Sequence, residues 1–274
     1  MLNVVGKAGC VSYAMDLSTL KALLADISDW QDDSITSIVN DDMNLYDKMK
    51  SDLIKEKKES LLLKEDDFEE IKRNPKWIVG FSDVTTLHLA LQGAGMESIH
   101  GPMLSSYWMT RRPDSAAISV GDALFGRVDS YHIKPHPYNR LGNATGKIAG
   151  GNMTLISIAE GTPYDLPVDD NTIIMIEEIG ENMNAIDGMM QQLKKSGKLA
   201  KAKALLVGNF TNIDDKEDPW EVTPEDVIKQ YADELDVPVV FGFPAGHGRP
   251  NLAIFMGREV DLSVREDGVD ISFK

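Results

Sequence analysis

The sequence predicts an α/β fold in two domains, and three stretches carry that expectation. Lys76-Trp77-Ile78-Val79-Gly80-Phe81-Ser82-Asp83-Val84-Thr85 runs from a short apolar strand through one serine into a helix-like pattern. Thr172 to Glu177 is a strongly apolar strand that ends in acidic residues. Val237 to Phe241 is another strand, running into the loop Gly242-Phe243-Pro244-Ala245-Gly246-His247-Gly248. Short apolar runs alternating with helical periods are the pattern of a sheet covered by helices. An N-terminal α/β domain with a strand-turn-helix nucleophile elbow is expected over residues 1–130, with residues 1–60 atypical. A linker over 131–145 then leads to a C-terminal mixed α/β domain over 146–274.

Taken in order, Leu17, Leu20, Leu24 and Ile27 recur at helical spacing between Asp16 and Asp29. From Asp47 to Pro75 more than half the positions are charged, which reads as exposed helix with Leu61-Leu62-Leu63 as a small docking point. After strand 77–81 the spacing predicts a helix from Asp83 to about Gln92, with Asp83 at the end where a carboxylate is favoured and Gly93 and Gly95 closing it. Ile99-His100-Gly101-Pro102-Met103 reads as a strand end and turn. Residues 106–142, punctuated by Arg111-Arg112-Pro113 and Lys134-Pro135-His136-Pro137, read as an irregular crossover.

Further on, Lys147 to Asn152 leads from a strand into a helix over 153–160. The strand from Thr172 is followed by a helix over about 185–196 and a strand over 203–207. A helix over 224–234 opens with Thr223 as cap, Pro224 in the first turn and Asp226 at the third position, a good start signal. The chain ends in short alternating strands over 252–273 with a turn at Glu266-Asp267-Gly268.

A chain of 274 residues can bury a sizeable core. Its net charge of -16 argues against nucleic acid, whose binding needs surplus Lys and Arg, and against anionic lipid. The single Cys10 cannot form an intramolecular disulfide, and it reads as an inert thiol. No Cys/His cluster has zinc spacing, and no run approaches the ~18 apolar residues of a membrane span. The start lacks a basic n-region and long h-region, so the expected location is the cytoplasm.

Ser82, Glu177 and His247 share one setting, a polar side chain at or just beyond the carboxyl end of an apolar strand. Ligands of open α/β sheets bind there. A serine hydroxyl needs an imidazole to take its proton, and the imidazole needs a carboxylate to fix its tautomer. The order Ser, acid, His matches that of α/β hydrolases, although Val84 stands where the usual G-x-S-x-G elbow has its second glycine. Each residue also has a plain structural reading. A serine after a strand is often a helix cap, Glu177 sits beside Glu178 and Glu181, and a histidine between glycines is often a turn residue. His88, His100, His132 and His136 are rival imidazoles, with His88 read as packing. His247 leads because its glycines permit close approach of backbone and substrate.

Gly80-Phe81-Ser82-Asp83-Val84-Thr85, His100-Gly101-Pro102-Met103, Gly150-Gly151-Asn152, Glu177-Glu178 opening the Ile179-Gly180-Glu181 turn, and Gly246-His247 strongly resemble the LD-carboxypeptidase family. That family includes the microcin C self-immunity peptidases. The resemblance runs from about residue 62 to the end. It implies a two-domain fold, with nucleophile Ser82 in the first domain and orienting carboxylate Glu177 and general base His247 in the second. It further implies oxyanion or substrate contacts from Asp83, Gly101, Pro102, Met103 and Asn152, and a serine carboxypeptidase that releases D-alanine from cytoplasmic muropeptides in cell-wall recycling. No metal or organic cofactor is implied. The partner would be a small peptide substrate, with a homodimer as the expected assembly.

The chain departs from this pattern upstream of the serine. The family's Arg-Gly-Gly-Tyr-Gly-like loop, a source of an oxyanion N–H, is missing: only Gly6 and Gly9 precede Trp77. The rival readings are therefore a peptide-binding homologue without turnover and, further off, an esterase. Arg111, Arg112, Arg140 and Arg249 are the cations available for a terminal carboxylate, and Tyr107 and Trp108 the aromatics for stacking.

Overall fold

A computed structural model describes residues 65–73, 75–102, 114–213 and 222–274. The expected helix over 16–29, the Leu61-Leu62-Leu63 cluster, Cys10, Met103, Tyr107, Trp108, Arg111 and Arg112 lie outside the described residues. Residues 1–76 and 77–274 are separate compact units. The first is represented by helix α1, Glu65–Arg73, whose Lys72 and Arg73 complement the dipole in its last turn.

In the second unit, β1 (Val79–Gly80) leads through a single tight turn (Ser82–Val84) into α2 (Thr85–Gly93), then β2 (Ser98–His100). There follow α3 (Ser115–Leu124), β3 (Ser130–Ile133), β4 (Gly142–Asn152), α4 (Met153–Ala159) and β5 (Thr172–Ile179). Next come α5 (Met183–Lys195), α6 (Lys198–Lys201), β6 (Ala204–Thr211), α7 (Pro224–Ala232) and β7 (Val239–Phe241). The chain closes with β8 (Ile254–Met256), β9 (Glu259–Arg265) and β10 (Gly268–Phe273).

Two sheets form. A small one has the order β1-β2-β8, and a large one the order β3-β10-β9-β4-β5-β6-β7. Strands β4 to β7 pair in parallel, while β3, β10 and β9 are antiparallel and continue the sheet beyond β4. The fold is thus mixed α/β, as the sequence predicts. The crossover read as irregular over 106–142 is more regular than expected over its described part, 114–142. Asp114 caps α3 by accepting from the Ala117 N–H at 2.9 Å, and β3 pairs with β10. Alternation along β3 leaves three of its four residues partly or fully exposed, so it carries almost no apolar signal.

The helix starts are sequence-coded. Thr223 and Asp226 form a reciprocal capping box, and Asn152 and Asn182 cap α4 and α5 through their side-chain oxygens. Period-2 alternation in β5 sends Ile174 and Ile176 into a core shared with α4, α5 and α7. Ile173 and Met175 face an opposite core with Phe243, Ala245 and the antiparallel strands. The same alternation points Glu177 and Glu178, both fully or nearly fully buried, to opposite faces at the strand's carboxyl end.

Candidate active site

Ser82 sits between β1 and α2 with φ 61°. Serine adopts this left-handed conformation at a steric cost, and such strain concentrates at functional turns. Gly80, two residues before it, would carry a Cβ only 2.6 Å from the Val84 Cγ2 methyl, so the turn packs tightly over a glycine. The Thr85 hydroxyl accepts from the Asn152 N–H at 3.0 Å. Gly151, at φ 135°, has space for no Cβ because Thr85 Oγ1 lies 2.6 Å from where it would stand. The Gly150-Gly151-Asn152 motif thus presses the helix after Ser82 onto the end of β4.

Glu177 is fully buried, and its Oε2 accepts from His247 Nδ1–H at 2.7 Å. Burial pushes its carboxyl above the ordinary range, while the His247 hydrogen bond pulls the other way. Because Nδ1 carries its proton to the carboxylate, Nε2 is left as the acceptor of the neutral ring. His247 is still partly open, its side chain 12% exposed. Its ring lies 4.7 Å from that of Phe81, the residue preceding Ser82. The structure therefore brings Glu177 and His247 into contact and sets the Ser82 turn alongside them. Among the described residues, no hydrogen bond joins the Ser82 hydroxyl to the imidazole.

The other candidates are placed as follows. Asp83 opens the turn after Ser82. The Gly101 N–H donates to Gly80 O at 3.0 Å, and a Cβ there would stand 3.2 Å from Ala253 Cα, so this N–H is already committed to the small sheet. Pro102 is buried and has no N–H to offer. Asn152, only 2% exposed, accepts from the Leu155 N–H at 3.2 Å and donates to Glu178 Oε1 at 2.7 Å. Its amide is thus used at both ends, inside the scaffold. Arg140 reaches Asp236 at 3.3 Å, beside the loop that enters β7. Arg249 is exposed, two residues beyond His247.

Of the rival imidazoles, His132 pairs with Asp270 at 2.6 Å on the surface, and His136 stacks on Phe241. His88 is packing, as its helix position predicts. It donates from Nε2 to Gly80 O at 3.0 Å and accepts at Nδ1 from the Ser98 hydroxyl at 2.7 Å. The neutral tautomer follows, since a carbonyl can only accept. His100 is fully buried between Phe81 and His88, and among the described residues neither ring nitrogen has a hydrogen-bond partner.

These two buried histidines give the fold an acid-labile floor. Burial holds His88 down at about 4, against 6.5 when free, and lowers His100 in the same direction. Between those values the unfolded chain binds a proton that the fold refuses, so stability is lost as pH falls below 6.5. For His88 alone the loss is about 2 kcal/mol by pH 5. Glu177, raised instead of lowered, has the opposite sign and offsets part of it. Urea denaturation of wild type and His88→Gln isolates the His88 share. The wild-type advantage is expected to shrink by about 2 kcal/mol between pH 7.5 and 5, and a pH-independent difference would contradict this.

Among the described residues no three metal-ligating side chains converge, and no helix is long and apolar enough to cross a membrane. A shallow groove of about 560 Å³ along α5, lined by Gly188, Gln191, Gln192, Lys195 and Ser196, includes none of the site residues.

Sequence reasoning gave no role to Phe81, Thr85, Asn209 and Asn251, which pack or hydrogen-bond around the site. Asn209 follows Gly208 at the end of β6, in the same strand-end setting as Glu177, and that repetition was the available signal.

Fold and site define a class: a two-sheet α/β protein with a histidine–carboxylate pair at the carboxyl edge of its parallel strands. Comparison with known proteins narrows it. The models of the LD-carboxypeptidase N-terminal and C-terminal domains match residues 58–101 and 145–262, and the chain belongs to the LD-carboxypeptidase family. It is 32% identical over 204 residues to the probable murein peptide carboxypeptidase of Bacillus subtilis strain 168, covering 73% of this chain and 64% of that protein. With the murein tetrapeptide carboxypeptidase of Pseudomonas aeruginosa it shares 26% identity over 196 residues, 69% and 63% of the two chains. The match thus spans less than two thirds of the length of these curated relatives. The crystal structure of muramoyltetrapeptide carboxypeptidase from Oxalobacter formigenes aligns with a TM-score of 0.68 at 25% identity, covering 75% of this chain and 70% of that one. The microcin C7 self immunity protein MccF shares the fold, with a TM-score of 0.63, 19% identity and coverage of 76% and 70%.

Proposed function

We propose that the chain is a cytoplasmic serine peptidase that cleaves the amide between an L-centre and a terminal D-alanine of a muropeptide. One observation carries this reading: a fully buried Glu177 carboxylate bonded at 2.7 Å to His247, beside the strained Ser82 turn. Kinship with proteins named murein peptide and murein tetrapeptide carboxypeptidase supports the substrate class.

In the proposed reaction His247 Nε2 takes the Ser82 proton as Oγ attacks the scissile carbonyl. Glu177 holds the ring in its tautomer and stabilises the imidazolium that forms. The tetrahedral oxygen takes a hydrogen bond from the Asp83 N–H, the first after the nucleophile. His247 returns its proton to the departing amine, and D-alanine leaves. Water, deprotonated by the same nitrogen, then attacks the acyl-serine and frees both Ser82 and the shortened peptide. Apo sites commonly show a loose nucleophile–base contact that tightens with substrate, which fits a Ser82 hydroxyl with no hydrogen bond to the imidazole among the described residues. The second reading, a homologue that binds peptide without turnover, rests on the absence before Ser82 of the family's glycine-rich loop. A third reading is an immunity peptidase of the MccF kind, whose fold the chain shares.

The test is D-alanine release from an L,D-tetrapeptide by the intact chain. Release dependent on Ser82 supports the reading, and none at any substrate concentration sinks it. Of the two candidate arginines among the described residues, Arg249 is the one proposed to receive the terminal carboxylate, because Arg140 is already paired with Asp236. Arg249→Ala is expected to raise KM roughly 10-fold with kcat within about 3-fold, the size of one charge-assisted hydrogen bond. An unchanged KM would assign carboxylate recognition elsewhere.

A further inference from the structure

We infer that Asn209 is a positioning residue for His247, a role resting on the reading of that histidine as the general base. Strands β5 and β6 slip register between Ile176↔Val207 and Glu178↔Phe210, which inserts an extra residue into β6 at Gly208-Asn209. Bulges of this kind re-aim side chains next to active sites. Here the bulge turns two donors of one residue onto one acceptor. Asn209 N–H donates to Ala245 O at 2.9 Å, and Asn209 Nδ2 donates to the same oxygen at 3.0 Å.

Ala245 lies two residues before His247. On the other side, Gly248 lies so close that a Cβ there would stand 2.6 Å from Asn209 Oδ1 and 2.4 Å from Cγ. One side chain therefore grips the histidine loop both before and after the ring. Gly208, at the bulge, would carry a Cβ 2.6 Å from Ala245 O and 3.1 Å from Glu177 Cβ, so only glycine lets loop and carboxylate strand come this close. A second amide completes the hold, with the Gly246 N–H donating to Asn251 Oδ1 at 3.1 Å. Among the described residues Asn209 makes no hydrogen bond to the imidazole, and it holds the backbone on either side of it. It acts by fixing the loop so that His247 Nδ1 stays on Glu177 and Nε2 faces outward.

The test follows the His247 Nδ1 proton in the full-length chain, labelled with imidazole nitrogen-15, in wild type, Asn209→Asp and Asn209→Ala. Aspartate keeps the shape and removes the donor. A proton held between an imidazole and a buried carboxylate resonates far downfield, and it is expected to weaken or shift upfield in both variants. The rate at which a fluorophosphonate labels Ser82 is expected to fall on the order of 10- to 100-fold, the effect of a misplaced reacting group. A wild-type resonance and a wild-type labelling rate in Asn209→Asp overturn the inference. Should Asn209→Ala not fold, the isosteric aspartate carries the decision. If Ser82 takes no label even in wild type while the resonance still moves with Asn209, the positioning role stands and the peptidase reading falls.

Discussion

Ser82→Ala is expected to lower kcat for D-alanine release by on the order of 10⁴- to 10⁶-fold while leaving substrate binding within about 3-fold. The range is what loss of a serine nucleophile costs when the rest of its relay remains. In the proposed reaction the hydroxyl itself forms the covalent bond, so no neighbour can substitute for it. Stability moves the other way: Ser82 holds φ 61°, a region that glycine occupies without strain. Ser82→Gly is therefore equally inactive but at least as stable as Ser82→Ala in thermal unfolding. A Ser82→Ala protein that retained more than about a tenth of its activity would mean that another group attacks the carbonyl.

The second large effect is expected at Gly246, a residue with no side chain. Its φ of 108° belongs to glycine, and a Cβ built there would stand 2.6 Å from Glu177 Oε2 and 2.7 Å from Glu177 Cβ. Neither neighbour can retreat easily, because Glu177 lies on a central strand between β4 and β6. Gly246→Ala must therefore lift the loop that carries His247 off its carboxylate. Backbone strain and overpacking together cost about 2–5 kcal/mol of stability. The loss in kcat/KM should be on the order of 10³-fold, approaching the ~10⁴-fold fall when a triad loses its orienting carboxylate. Gly188→Ala, on the exposed face of α5 with nothing near its missing Cβ, is the control and leaves activity unchanged. Activity measurements with parallel denaturant unfolding check both. Wild-type kcat/KM in Gly246→Ala would show that the His247–Glu177 contact does not limit the chemistry.

The Gly246 geometry also marks how far the site was legible in the sequence. Residue types and strand-end positions pointed to Ser82, Glu177 and His247, and the structure pairs two of them and sets the third alongside. The glycines around His247 were expected to make room for substrate. Gly246 instead makes room for Glu177, and Gly248 for Asn209. Both readings need a residue without Cβ, and a one-dimensional pattern cannot distinguish them. Asn152 was expected to contact the substrate because the family resemblance implied it, yet its amide is used in capping α4 and holding Glu178.

Helices and central strands were legible because their signals are local, as with the Thr223–Asp226 capping box and the apolar run of β5. Strand β3 and helix α3 were not, because a half-exposed edge strand and a helix rich in alanine and serine carry little periodic contrast. The bulge at Gly208-Asn209 depends on what β5 and the histidine loop do beside it, and no window of sequence contains all three.

Labelling the intact chain with a fluorophosphonate and mapping the adduct by peptide mass spectrometry tests the Ser82–His247–Glu177 relay most directly. The predicted result is one adduct per chain, on Ser82, formed at a rate that collapses in His247→Ala. No adduct, an adduct on a different residue, or labelling of Ser82 indifferent to His247 would contradict it.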